Sequence, residues 1–257
     1  LSTLDYLINQ IFHLTANRHY GKFDVIVLLL LGSMAMHGVS APEPTPLTPY
    51  KATYLTKAMG MKVKIKRELL STEDGYTLTS NGSSMLAKIQ ESARFKLMGE
   101  QIQGVHYQYQ LKSVVGRKSE VIFLPEAVVI KSLKKGDWTE HPWSEGVLDQ
   151  LSQQEQLRLD LLAAASASED PPDTLNFKVV DGPRIKDRTL QFVGTETLKT
   201  PMGDVETLHY KQLRSPEAKR RSAIWVAPSL DYLMVLTRHE EDDSTIEIRL
   251  ESTTLAP

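Results

Sequence analysis

Short runs of alternating apolar and polar residues, each closed by a turn signal, occupy most of the chain beyond residue 60. This period of two restricts the chain to a sheet with one buried and one solvated face. In residues 61–69, Met61, Val63 and Ile65 alternate with Lys62, Lys64 and Lys66. The lysine face is expected to be exposed, and the strand is a candidate charged edge protected from further pairing. Glu73-Asp74-Gly75 turns the chain into residues 76–82. Residues 83–98 read as strand because they lie between strands. In residues 104–111, Val105, Tyr107, Tyr109 and Leu111 share one face, opposite His106, Gln108 and Gln110. Residues 119–124 and 127–133 follow as a pair, and "KKGD" (134–137) closes the series ahead of Trp138.

A second β series begins near residue 174. Asp181-Gly182, Thr200 to Gly203, "SLD" (229–231) and "EDDS" (241–244) punctuate about six apolar-rich runs at a spacing near ten residues. Regular short strands of this kind imply an antiparallel meander.

Between the two series lies the one long segment with helical period, "VLDQLSQQEQLRLDLLAA" (147–164). At 100° per residue, Val147, Leu148, Leu151, Leu159 and Leu162 form a stripe that Leu157 and Leu161 widen. Glu155 and Arg158 stand at i, i+3 and can pair. Ser144 or Asp149 can cap the start. Such a helix must pack onto something, and the sheet is its only large partner. The expected fold is therefore mainly β with one helix: a curved antiparallel meander or half-open barrel with the helix packed on or in its concave face.

Residues 25–36, "VIVLLLLGSMAM", are uncharged and of signal-peptide length, with Arg18 and Lys22 before them and Val39-Ser40-Ala41 after. The run is short for a membrane span. The expected organisation is a signal peptide or N-terminal anchor over 1–41, a proline-rich linker over 42–49 and one β-rich domain over 50–257. This places the protein in the periplasm of a Gram-negative bacterium. The alternative is an inner-membrane anchor facing the periplasm, with membrane contact only through the N-terminal segment.

A net charge of −2, with lysine and arginine spread along the chain, argues against a nucleic-acid partner. The absence of cysteine removes disulfides, thiolate metal sites and cysteine nucleophiles. His106, His141, His209 and His239 form no metal-ligating spacing, so no metal and no cofactor are expected. No G-x-S-x-G elbow or phosphate-binding glycine loop is present. No catalytic residue is assigned, although a paired-carboxylate glycosidase stays open because such a pair need not be adjacent in sequence. Tyr107, Tyr109, Trp138, Trp143 and Leu151 are candidate ligand-lining residues for a concave apolar sheet, with a lipid or other apolar molecule as ligand. The alternative is an envelope interaction protein meeting a protein partner through the lysine strand or the aromatic loop 138–143, in which Trp138 and Trp143 flank "TEHP".

Four segments carry a family resemblance: 147–158, 177–184, 194–212 and 224–238. Their D-x-L-S-x-x-x-Q-L-R-like stretch, D-G turn and W-x-A-P-x-x-x-Y-L pair resemble the bacterial domain-of-unknown-function 3108 family over most of 50–253. The resemblance implies an exported, β-rich protein and transfers no catalytic residue. The closing hairpins are also similar in layout to periplasmic lipoprotein carriers and receptors of the LolA/LolB type, which are half-open barrels that hold acyl chains.

Overall fold

The computed structural model describes residues 46–58, 61–84, 87–114, 116–215, 217–242 and 244–256. The proposed signal segment and the first half of the linker, 42–45, lie outside them.

Eight strands form first: β1 (Tyr50–Ala58), β2 (Met61–Thr72), β3 (Gly75–Ser83), β4 (Lys88–Met98), β5 (Gln101–Lys112), β6 (Arg117–Leu124), β7 (Val129–Lys134) and β8 (Asp137–Pro142). A two-residue strand β9 (Val147–Leu148) precedes helix α1 (Ser152–Ser166). Six strands then complete the chain: β10 (Thr174–Asp181), β11 (Arg184–Thr200), β12 (Gly203–Gln212), β13 (Arg220–Ala227), β14 (Leu233–Glu241) and β15 (Ser244–Thr253).

All fifteen strands belong to one sheet, ordered β8 through β1, then β15 down to β9. Every strand pairs with its sequence neighbour except at the centre, where β1 pairs antiparallel with β15. The other exception to simple meander is β9, which runs parallel to β10. A parallel pair needs a crossover, and α1 supplies it.

A sheet of this width cannot stay open and flat. Bulges at Val105 on β5, Val193 on β11, Val235 on β14 and Glu251 on β15 bend it further. The inward faces of both halves meet in one apolar core around Tyr54, Leu69, Phe95, Tyr107, Phe177, Tyr210 and Ile248. The terminal strands β8 and β9 are separated in sequence only by residues 143–146, so the two ends of the sheet must lie close together. β9 packs against β5, and side chains close the remaining gap.

Several expectations need correction. The lysine-bearing strand is not an edge: β2 lies inside the sheet between β1 and β3, with Lys62, Lys64 and Lys66 exposed on its outer face. The "TEHP" segment after Trp138 is not a loop but part of β8. The helix starts five residues later than its apolar stripe suggested, since Val147 and Leu148 are strand. At the end of the proline-rich segment, Leu47 is buried in the core at 1% exposure.

Candidate functional site

The site is the interior of the curled sheet, where α1 lies. Asp149 secures its start. The backbone N–H groups of Leu151 and Ser152 both donate to Asp149 Oδ1 at 2.8 Å, and Ser152 Oγ donates to Oδ2 at 2.8 Å. Asp149 N–H donates back to Ser152 Oγ at 3.2 Å, a reciprocal capping box with serine in the usual glutamate position. The carboxylate thus satisfies donors that would otherwise be buried and unpaired. Burial pushes its carboxyl up from the usual range, against the hydrogen bonds from Ser152 and Leu151.

The expected apolar stripe is only part of the helix surface that is buried. Ser152, Gln153, Gln154, Glu155, Gln156 and Arg158 are buried too. Their polar ends reach the sheet. Gln156 Oε1 accepts the Ile102 N–H at 2.7 Å, while its Nε2 donates to Glu100 O at 2.9 Å. Arg188 donates to Gln153 Oε1 at 2.8 Å and to Gln150 Oε1 at 2.7 Å. Arg67 Nη1 donates to Gln154 Oε1. Tyr50 OH donates to Glu155 Oε1 at 2.7 Å, and Arg158 Nη1 donates to Glu155 Oε2 at 2.6 Å. The i, i+3 pair expected from the sequence therefore forms, with both side chains almost fully buried. Arg158 Nε also donates to Asp231 O at 3.0 Å, and its guanidinium lies 4.9 Å from the centre of the Tyr50 ring.

A small cavity lies among Tyr50, Arg67, Gln154, Glu155 and Arg158 on one side and Ile224, Val226, Leu233 and Met234 of the sheet on the other. It has room for about one water. Three of its lining side chains carry a buried N–H group with no protein partner: Arg67 Nε, Gln154 Nε2 and Arg158 Nη2. Deeper in, Tyr107 OH donates to Glu91 Oε1 at 2.8 Å. Burial pushes the Glu91 carboxyl up to about 8, against that hydrogen bond and the charge of Arg67.

The two ends of the sheet are joined beside this interior. Lys134 Nζ on β7 donates to Asp181 Oδ1 at 2.6 Å, and Ser132 Oγ donates to Gly182 O at 2.7 Å. Burial would raise the Asp181 carboxyl, but hydrogen bonds from Lys134 and Lys186 hold it at about 2. Gly182 has φ +57°, and a Cβ there would lie 2.2 Å from Lys134 Cδ. The D-G turn is thus both a hairpin and the point where β10–β11 meets β7.

The aromatic candidates do not converge on the cavity. Tyr107 and Tyr109 face inward from β5 and are buried. Leu151 is fully buried at the start of α1. Trp143 packs half-buried against the core, and Trp138 on β8 is 51% exposed. None of the five lines the cavity.

Two serine–histidine pairs were not foreseen. Ser132 Oγ lies 2.9 Å from His141 Nε2, and Ser222 Oγ lies 2.9 Å from His239 Nδ1. The Ser132 hydroxyl proton is committed to Gly182 O, so His141 must be the donor in its pair, the reverse of a nucleophile–base arrangement. His239 is buried opposite Ser222. Among the described residues no group of histidine, aspartate and glutamate could hold a metal ion.

Among solved structures, the chain is similar to a β-barrel-like protein of the domain-of-unknown-function 1849 family from Brucella abortus. The match has 11% identity and TM-score 0.52, covering 81% of this chain and 98% of that one. It establishes a shared fold. A "putative lipoprotein" from Parabacteroides distasonis ATCC 8503 aligns at 13% identity and TM-score 0.33, over 82% of this chain and 97% of that one. No curated protein matches. The family model described as "Protein of unknown function (DUF3108)" matches residues 50–251. That span takes in the capped helix, the D-G turn and the β13–β14 pair, and the chain belongs to the DUF3108 family.

Proposed function

We propose that this is a non-catalytic protein of the bacterial cell envelope that binds an amphiphilic ligand between α1 and the inner face of β13–β14. The observation that carries this reading is the set of three buried, unpartnered donors around the cavity. Buried polar groups are nearly always paired, and departures concentrate where a molecule trades stability for function. The side chains that carry those donors line the cavity opposite an apolar wall of Ile224, Val226, Leu233 and Met234. This combination suits a ligand with a polar head and an apolar body. The export signal read in residues 25–41 supports the envelope location.

In the closed arrangement α1 fills the concavity, and the space left is far below the roughly 300 Å³ of a typical small-molecule pocket. Ligand entry therefore requires α1 to move away from β13–β14. Its anchorage supports this, since several of its contacts are side-chain hydrogen bonds that water can replace. Mass spectrometry of solvent extracts from the purified protein tests the reading. A stoichiometric amphiphile is expected. No extracted molecule, together with no saturable uptake of labelled decanoate or decanol, would overturn it.

One observation favours a second reading. β8 pairs on one side only, and it carries the exposed Trp138. A strand edge with an exposed aromatic suits strand addition by an envelope partner. Photo-crosslinking from position 138 in cells would trap one defined protein under that reading.

A further inference from the structure

We propose that the cavity beside α1 is an anion site, occupied by a halide-sized ion or by the anionic head of the bound amphiphile. The proposal rests on the ligand reading above only for the second source. Arg67 Nε, Gln154 Nε2 and Arg158 Nη2 are all donors, and all belong to side chains at least 94% buried. A single water accepts two hydrogen bonds and must itself donate two. Three unpartnered donors on side chains that line one small space therefore match an anion better than a water. Charge agrees. The lining holds two guanidiniums and one carboxylate, and both oxygens of Glu155 are already engaged by Tyr50 and Arg158. Glu91, the next carboxyl along the interior, is held neutral at neutral pH by burial, so it does not balance the second arginine. A buried cation left without a counter-charge is costly, and an exchangeable anion removes that cost.

Gln154 offers a sharp test. Its Oε1 already accepts from Arg67, so Gln154→Glu keeps that contact and replaces the unpartnered Nε2 donor with a fixed negative oxygen. The full-length protein is unfolded thermally in sodium bromide and in sodium gluconate at equal ionic strength. The wild type is expected to gain saturably in bromide, by roughly 5–10 °C at a hundredfold excess over Kd. Gln154→Glu is expected to unfold higher in gluconate and to lose the bromide response. Crystals of the wild type grown in bromide are expected to show one anomalous peak between Arg67 and Arg158.

Parallel titrations with decanoate and decanol separate the sources. Saturable stabilisation by decanoate that Gln154→Glu abolishes identifies a head group; stabilisation by bromide alone identifies a free ion and counts against the amphiphile. Equal stabilisation by decanol and decanoate, with no bromide response, overturns the anion site while leaving the amphiphile reading standing. A bromide response unchanged in Gln154→Glu, or no anomalous peak at the cavity, also overturns it.

Discussion

Glu91 gives the most direct handle on the interior. It is 5% exposed on the inward face of β4, accepts a hydrogen bond from Tyr107, and titrates near 8 because burial outweighs Tyr107 and the Arg67 charge. In the unfolded chain it returns to its ordinary value of 4.5. Between those values the folded protein holds a proton that the unfolded chain has released. Stability contributed by this group is full below pH 4.5 and is lost as pH rises through 8. The whole effect is about 5 kcal/mol, at about 1.4 kcal/mol per pH unit. Other groups titrate at lower pH. Burial pushes Asp160 up to about 6 and His209 down from 6.5, but both titrate alike in the wild type and in a Glu91 variant, so their contribution cancels in the difference. Over the interval from pH 6.5 to 8.5 the Glu91 contribution to that difference is worth about 2 kcal/mol. Glu91→Gln preserves an acceptor for Tyr107 and cannot ionise. Urea unfolding of the wild type and Glu91→Gln should show the wild type losing about 2 kcal/mol more than the variant across that interval. Parallel stability curves would refute the assignment of a neutral, buried Glu91.

Other perturbations follow from the contacts around α1 and the sheet ends. Asp149→Ala removes three accepted hydrogen bonds and should cost about 2 kcal/mol, with Asp149→Asn recovering part, measured by chemical denaturation. Arg158→Met leaves Glu155 buried without its cation and should cost about 3–5 kcal/mol, and adding Glu155→Gln should recover most of that loss. Gly182→Ala places a Cβ against Lys134 in a left-handed backbone and should cost about 1–3 kcal/mol, with faster amide exchange in β7 and β10.

The strand series was legible because period two and turn residues report local structure directly. Both hairpin series and the strand over 88–98 emerge where the alternation and its surroundings place them. The Glu155–Arg158 pair and the Asp149 cap were likewise legible from spacing. The polar interior was not. Its signal was present in β2, where the apolar phase Val63, Ile65 and Leu69 is interrupted by Arg67. A charged residue in the inward phase of a strand must meet a buried partner, but sequence alone does not say which. The partner, Gln154, lies 87 residues away in the crossover helix. The helix misled for a related reason. Hydrophobic periodicity locates an apolar face, whereas α1 also buries glutamines whose long side chains reach backbone groups of the sheet. β8 was missed because its pairing is with β7 alone and its sequence carries proline, histidine and charge.

The pairing of β1 with β15 has a consequence for how the chain acquires this shape. Each meander grows by adding the next strand in sequence, through short hairpins that close early. The seam between the two halves joins Ala52 to Thr253, the first strand to the last. Synthesis delivers β1 long before β15 exists. Throughout that interval one side of β1 stays open, a bare strand edge beside apolar Tyr54 and Leu55. The protein's exposure to aggregation is thus set by the arrival time of its final ten residues of strand, and truncating β15 should be more damaging than shortening the β8 end.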